Sequence, residues 1–263
     1  MKNYNINYNF FTMTKFQIAS DLHIEYKNNE LVDPLTIITP SADYLILAGD
    51  IGSFYKYEQL HKFIYILSKY YKSIIYVPGN NEYYTQIGFE PKSMDELLQN
   101  FRRVSSSINN LYILDRACIK IGDICIAGCT LWSNPTVYIP TFIVRINLIN
   151  TNMYIQKHKK DLSYIKYIIK YCQTFNLKLL LVTHYCPTYS LINPLKYTNK
   201  YISMYASNLD FLHTKEKIHT WVYGHTHANF NVITDKGTRL VTNQVGKPKD
   251  NIKDYNKNMV IEI

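Results

Sequence analysis

Five short clusters hold the residues whose types and spacing could do chemistry. They are Asp21-Leu22-His23, Gly49-Asp50, Gly79-Asn80-Asn81-Glu82, Thr183-His184 and Gly224-His225-Thr226-His227. Asp21 and His23 are two apart, so an extended segment points both to one side. A carboxylate oxygen and an imidazole nitrogen aimed at one point suit a borderline divalent metal. Each cluster alone is ordinary. A polar loop can contain Asp-x-His by chance, and many Gly-Asp pairs only close a turn.

Their weight comes from what precedes them. Leu45, Ile46, Leu47 and Ala48 form a continuous apolar run, the pattern of a strand buried on both faces. Gly49 lets the backbone turn tightly. Asp50 is then left at the strand's carboxyl end, where open α/β sheets build their sites. Segments 15–19, 73–77, 178–182 and 219–223 read as strands too, and each delivers one of the other clusters. Five apolar strands ending this way are not a set of satisfied core polar groups.

The remaining elements are the frame. Helical periodicity covers 57–71, with Leu60, Phe63, Ile64, Leu67 and Tyr71 on one face and His61 opposite. A capping box of Ser93 and Glu96 starts a helix over 93–104. The longest helix spans 154–175. Ile155, Leu162, Ile165, Ile168, Ile169 and Cys172 make its buried stripe, and His158 joins the polar side with Lys157, Lys159 and Lys160. Short strands are expected at 111–114, 118–121 and 124–128, the last two joined by a Gly122-Asp123 hairpin turn. Further β-structure is read at 231–234, 239–243 and 259–263, and a short helix at 208–213. Segments 130–152 and 188–206 are irregular loops, and whether they form a lid is open. Residues 1–13 read as a loose polar arm ahead of a single domain over 14–263.

The chain has 263 residues, a formal net charge of +9 and 25 tyrosines. A positive balance suits anionic partners such as nucleotides or nucleic acid. The basic residues are scattered apart from 157–160 and 247–253, so no nucleic-acid groove is indicated. Cys118, Cys125, Cys129, Cys172 and Cys186 are odd in number and lack a CxxC pair. With no secretory signal and no membrane-length apolar run, a reducing cytoplasmic setting without membrane contact is expected.

In order and spacing the clusters resemble the calcineurin-like metallophosphoesterase superfamily, whose blocks run D-x-H, G-D, G-N-H-[DE], H and G-H-x-H. Here they read SDLHIEY, LAGDI, PGNNEYY, THYCP and YGHTH, over roughly residues 15–230. The resemblance implies an α/β fold, a four-layer αββα sandwich with two mixed sheets flanked by helices. It implies two divalent ions, of which Mn, Fe, Zn, Co or Ni would each fit. Asp21, His23 and His227 would hold one. Asn80, His184 and His225 would hold the other, with Asp50 bridging. A hydroxide shared by the ions would attack a phosphate ester in line.

Two departures bear on the substrate. The family's His after the Asn is here Asn81, which can donate a hydrogen bond but cannot supply a proton at neutral pH. Its usual Asp partner is replaced by Ser53. The resemblance implies that members with Cys or Arg at this position include phosphodiesterases. A phosphodiesterase acting on a small molecule or nucleotide is therefore the leading expectation, with Asn81 on a phosphoryl oxygen. A phosphomonoesterase, a protein phosphatase or a metal-retaining binding scaffold are the alternatives. Tyr83, Tyr84, Trp132, Asn134 and Arg145 could border substrate, Arg145 being suited to bidentate phosphate contact. Loop packing is the plainer reading of each. Cys186 beside His184 reads as a buried thiol, and His219 as structural.

Overall fold

Strand β1 (Lys15–Ala19) is followed by β2 (Tyr44–Ala48), helix α1 (Tyr57–Leu67), β3 (Ser73–Val77), helix α2 (Met94–Ser105) and β4 (Leu111–Ile113). These strands form one sheet in the order β11-β1-β2-β3-β4, where β11 is Val260–Glu262. β1 through β4 run parallel and β11 is antiparallel at the edge. The computed structural model describes residues 13–26, 32–192 and 201–263. The loose arm expected over 1–13 lies outside these, Met13 apart.

A second sheet starts with the antiparallel hairpin β5 (Ala117–Ile121) and β6 (Ile124–Cys129). Gly122 at its turn has φ +59°, as the hairpin requires. Helix α3 (Thr151–Thr174) crosses to β7 (Lys178–Thr183), then come β8 (Thr220–Val222), β9 (Asn231–Ile233) and β10 (Arg239–Val241). The order is β5-β6-β7-β8-β10-β9, with β6, β7, β8 and β10 parallel. Both sheets are thus mixed, as expected.

Alternation along the strands sorts the core into two seams. Phe16, Ile18, Ile46, Ala48, Ile75 and Val77 of the first sheet pack against Ile124, Ile126, Leu180, Val182, Val222 and Val241 of the second. The intervening residues, such as Leu45, Leu47, Ile74 and Tyr76 or Cys125, Leu179 and Leu181, join the larger cluster with the helices. Strands covered on both sides must be apolar at every position, which is why they read as continuous runs. Each Ile, Leu or Val so buried contributes about 1.5–3 kcal/mol.

Helix α3 departs from expectation. His158 is buried, and its Nδ1 lies 2.7 Å from the Trp132 carbonyl. Ile155 and Leu162, assigned to the buried stripe, are only half-buried. The observed stripe is Tyr154, His158, Asp161, Ile165, Ile168, Ile169 and Cys172. Two of its members are polar because the helix faces a loop backbone as well as a sheet. Asp161 Oδ2 accepts from the Trp132 N–H at 3.1 Å, and its Oδ1 pairs with Arg116 at 2.7 Å. Smaller differences lie at element ends. α1 stops at Leu67, 208–213 supplies a single 3-10 turn (Asp210–Leu212), and Ser93 caps α2 through its Oγ while Glu96 pairs with Lys92. His61 is half-buried and meets Ser107.

Asp161→Ala should cost about 1–3 kcal/mol, because the buried Trp132 N–H loses its acceptor. A lower urea midpoint with unchanged slope would register it; an unchanged midpoint would mean that the loop is held otherwise.

Candidate metal centre

Each parallel strand at the middle of the two sheets ends in a sharp turn. Asp21, His23, Asp50, His225 and His227 all have left-handed backbone, with φ of 53°, 48°, 53°, 70° and 49°. That conformation is uncommon for residues with a Cβ, and Asp and His tolerate it better than most. Five in one place mark a site where surrounding structure holds local strain. Close approach fixes the motif glycines as well. A Cβ at Gly79 would lie 2.2 Å from Asp50 Oδ1, and one at Gly49 would lie 2.4 Å from His184 Nδ1.

The side chains meet in two groups. Asp21, His23 and His227 form one; Asp50, His184 and His225 form the other. In the first, His23 Nε2 and His227 Nε2 are 3.2 Å apart, and His227 Nε2 lies 3.3 Å from Asp21 Oδ1. In the second, three atoms surround His184 Nε2: Asn80 Oδ1 at 3.0 Å, Asp50 Oδ1 at 3.2 Å and His225 Nδ1 at 3.2 Å. The other oxygen of Asp50, Oδ2, is 3.8 Å from His23 Nε2. Asp50 therefore faces both groups, one oxygen to each. Apart from the rims of His225 and His227, these residues are almost wholly buried.

The donor set itself tests whether a metal fits. His23 Nδ1 meets Glu25 Oε1 at 3.0 Å, and His227 Nδ1 meets Asp250 Oδ2 in a short contact. His184 Nδ1 meets the Ala48 carbonyl at 2.9 Å. Carboxylates and carbonyls only accept, so these Nδ1 atoms carry the protons. Each neutral ring then turns a bare Nε2 lone pair inward, onto other lone pairs. Such an array repels itself unless cations or extra protons lie within it. Two divalent ions with mixed N and O ligands suit it.

Electrostatics agree. Burial alone would raise the carboxyls of Asp21 and Asp50. The surrounding imidazoles outweigh it, holding Asp21 low and Asp50 well below the carboxylate range. Burial opposes charge on His184, yet the Asp50 carboxylate pushes it up to about 9. His225 is driven well below 6.5, by burial and by the neighbouring His184.

A family-wide profile, described as calcineurin-like phosphoesterase, matches residues 14–229. The chain belongs to the calcineurin-like phosphoesterase family. An uncharacterized protein of Acanthamoeba polyphaga mimivirus is 27% identical over 261 residues, covering 89% of this chain and 91% of that one. Among solved structures, the phosphopantetheinyl hydrolase of Mycobacterium tuberculosis superposes with a TM-score of 0.74 at 15% identity, covering 95% and 96% of the two chains. A dimetal phosphatase from Danio rerio gives a TM-score of 0.54 at 12% identity, covering 88% and 87%. These likenesses show a shared α/β fold with two mixed sheets.

All seven residues that the sequence offered as metal ligands in this calcineurin-like phosphoesterase converge. The substrate candidates divide. Tyr83 and Trp132 are buried, packed against Phe54 and against Tyr154 and Tyr185. They belong to the core. Arg145 lies over the Tyr84 ring at 5.8 Å, and the Tyr84 hydroxyl bonds the Asn80 side chain. Asn134 is exposed and makes no hydrogen bond to the centre among the described residues. Asn81 donates to Asp50 twice, from its backbone N–H at 2.9 Å and from its amide at 2.5 Å. Ser53 caps a 3-10 turn by accepting from the Tyr55 N–H. Burial pushes the Cys186 thiol up to about 12, and it donates to the Thr188 carbonyl, consistent with an inert group.

Glu82, Glu25 and Asp250 were not singled out in the sequence. Glu82 is fully buried and accepts from the N–H groups of Asp50, Ile51 and Gly79 and from the Tyr76 hydroxyl. It ties the Asp50 turn to the Asn80 turn. Its place in the third motif was the available signal.

Metal-free protein should lose stability as pH rises from about 6.5 through about 9. The raised His184 stabilises the fold only while protonated, fully below its unfolded value and not at all above its folded one. A metal held by His184 would occupy the same lone pair, so loaded protein should lack this slope. Melting temperatures across that range, with and without chelator, provide the check. A flat metal-free profile would contradict the assignment.

Proposed function

We propose that this protein is a two-metal phosphoesterase that favours phosphodiesters. Membership of the family carries the phosphoesterase half of the reading, and the paired His/Asp groups support a dinuclear centre. Asp21, His23 and His227 would hold one ion, Asn80, His184 and His225 the other, and Asp50 both. Such ions supply an acidified water as nucleophile and neutralise charge on the phosphoryl group.

The preference for diesters rests on one observation: no proton donor stands at position 81. The Asn81 amide lies on Asp50, and Ser53 is occupied with a backbone N–H. A monoester dianion presents three terminal oxygens and carries one more negative charge than a diester. A histidine at position 81 could bond the third oxygen or protonate the leaving group; an amide cannot do the second. A diester has two terminal oxygens and asks less of this position. Arg145 beside Tyr84 offers a planar fork at the rim for a further anionic group of the substrate. No contact supports a similar role for Asn134. The net charge of +9 favours approach of anionic substrates generally.

The test is a metal-by-substrate matrix. Protein loaded with Mn, Zn, Co, Ni or Fe would be offered an aryl phosphodiester and the matching monoester. Diester turnover above monoester turnover is expected, and the reverse order would replace this reading with a monoesterase. Asn81→His should raise the monoester rate about tenfold or more if a missing acid limits it. An unchanged monoester rate would remove position 81 as the reason for the preference.

A further inference from the structure

The two halves of the centre differ in what stands behind their imidazoles. In the first, both rings are backed by carboxylates: His23 by Glu25 at 3.0 Å and His227 by Asp250. Neither carboxylate is free to turn away. Glu25 is buried, and its second oxygen has no hydrogen-bond partner among the described residues. Asp250 also accepts from the Lys247 N–H at 2.8 Å, which closes the short turn that carries it. In the second half, His184 is backed only by the Ala48 carbonyl. Among the described residues His225 has no backing acceptor: its Nδ1 points inward and its buried Nε2 makes no hydrogen bond to them, beside the rings of Tyr185 and Tyr205. Glu82 is near, but it accepts from backbone N–H groups and a tyrosine and touches no ligand side chain. Asp50 faces both halves but lies nearer the second, 3.2 Å from His184 against 3.8 Å from His23, so it is not what favours the first.

A carboxylate behind an imidazole fixes the tautomer and ring angle and makes the inward nitrogen more basic. A backbone carbonyl fixes the tautomer with less charge, and an apolar ring face does neither. Two further full negative charges also sit within reach of a cation in the first half. We infer that Glu25 and Asp250 are positioning residues that make the Asp21/His23/His227 site the tighter one. It fills first, and the site at Asn80, His184 and His225 fills at higher metal concentration. This rests on the two-metal reading above and adds an order to it.

The experiment is a cobalt(II) titration of the full chain after chelator treatment, followed by calorimetry and by the visible d–d absorption. Two separable steps are expected. His23→Ala should remove the tighter step and His184→Ala the weaker, which assigns them. Glu25→Gln and Asp250→Asn keep shape and remove charge. Each should weaken the tighter step by about 10- to 100-fold and leave the weaker step in place. Asp250→Glu should recover part of the loss, and the metal-free variants should melt with the wild type. Should one neutral variant fail to fold, the other carries the comparison alone. Two equal steps in the wild type, an unaltered tighter step in both neutral variants, or a loss confined to the weaker step would overturn the inference while leaving a two-metal centre standing. A wild type that takes up no cobalt would instead remove the two-metal reading beneath it, and the inference with it.

Discussion

Lone pairs crowded into a dry seam are the constraint under which this molecule is built. Six imidazole and carboxylate side chains and one amide turn electron-rich atoms toward one another at separations near 3.2 Å. The neutral rings of His23, His184 and His227 add no proton to that array, because each commits its Nδ1 proton outward. The surroundings accept the cost. Five residues sit in left-handed backbone, glycines replace any bulk behind them, and Glu82 gathers three N–H groups to pin two turns together. A fold that bears this much local strain needs deep cores elsewhere, and the two apolar seams provide them.

The layered architecture explains where the strain can be borne. Parallel strands place their carboxyl ends on one edge, so one edge of each sheet collects the turns that carry the candidate ligands. Asp21, Asp50 and Asn80 come from the first sheet; His184, His225 and His227 come from the second. The Asp21 carboxylate accepts from the His225 N–H with both oxygens, and the His184 ring reaches the Ala48 carbonyl. These bonds cross between sheets, so packing of the apolar seam also aligns the candidate ligands of one sheet with those of the other.

Much of this could be read from the chain, and the reason is local. A strand buried on both faces writes a continuous apolar run, and the first candidate ligand follows its end within three residues. The two sheets, the hairpin at Gly122 and all seven converging side chains were legible for that reason. What escaped depends on contacts between distant segments. Asp250 lies in a stretch that reads as basic, and only the fold brings it to His227. Glu25 follows a motif closely enough to pass for part of a loop. His158 was assigned by the lysines beside it, although its spacing from Tyr154, Asp161 and Ile165 follows the helical repeat. That repeat carried polar residues, and hydrophobicity alone does not recognise a helix face that serves a loop's backbone. Tyr83 and Trp132 follow the plainer of their two readings: they pack, filling the space between α3 and the first sheet's loops.

The contact between the Nε2 atoms of His23 and His227 spans 204 positions of sequence. During synthesis the amino-terminal sheet segments emerge long before the residues that complete either half of the centre. A growing chain can therefore pair β1, β2 and β3 while its ligands remain an incomplete and mutually repelling set. Each of the two groups takes one of its members from the turn at 224–227, so a product ending before residue 225 would carry neither group complete.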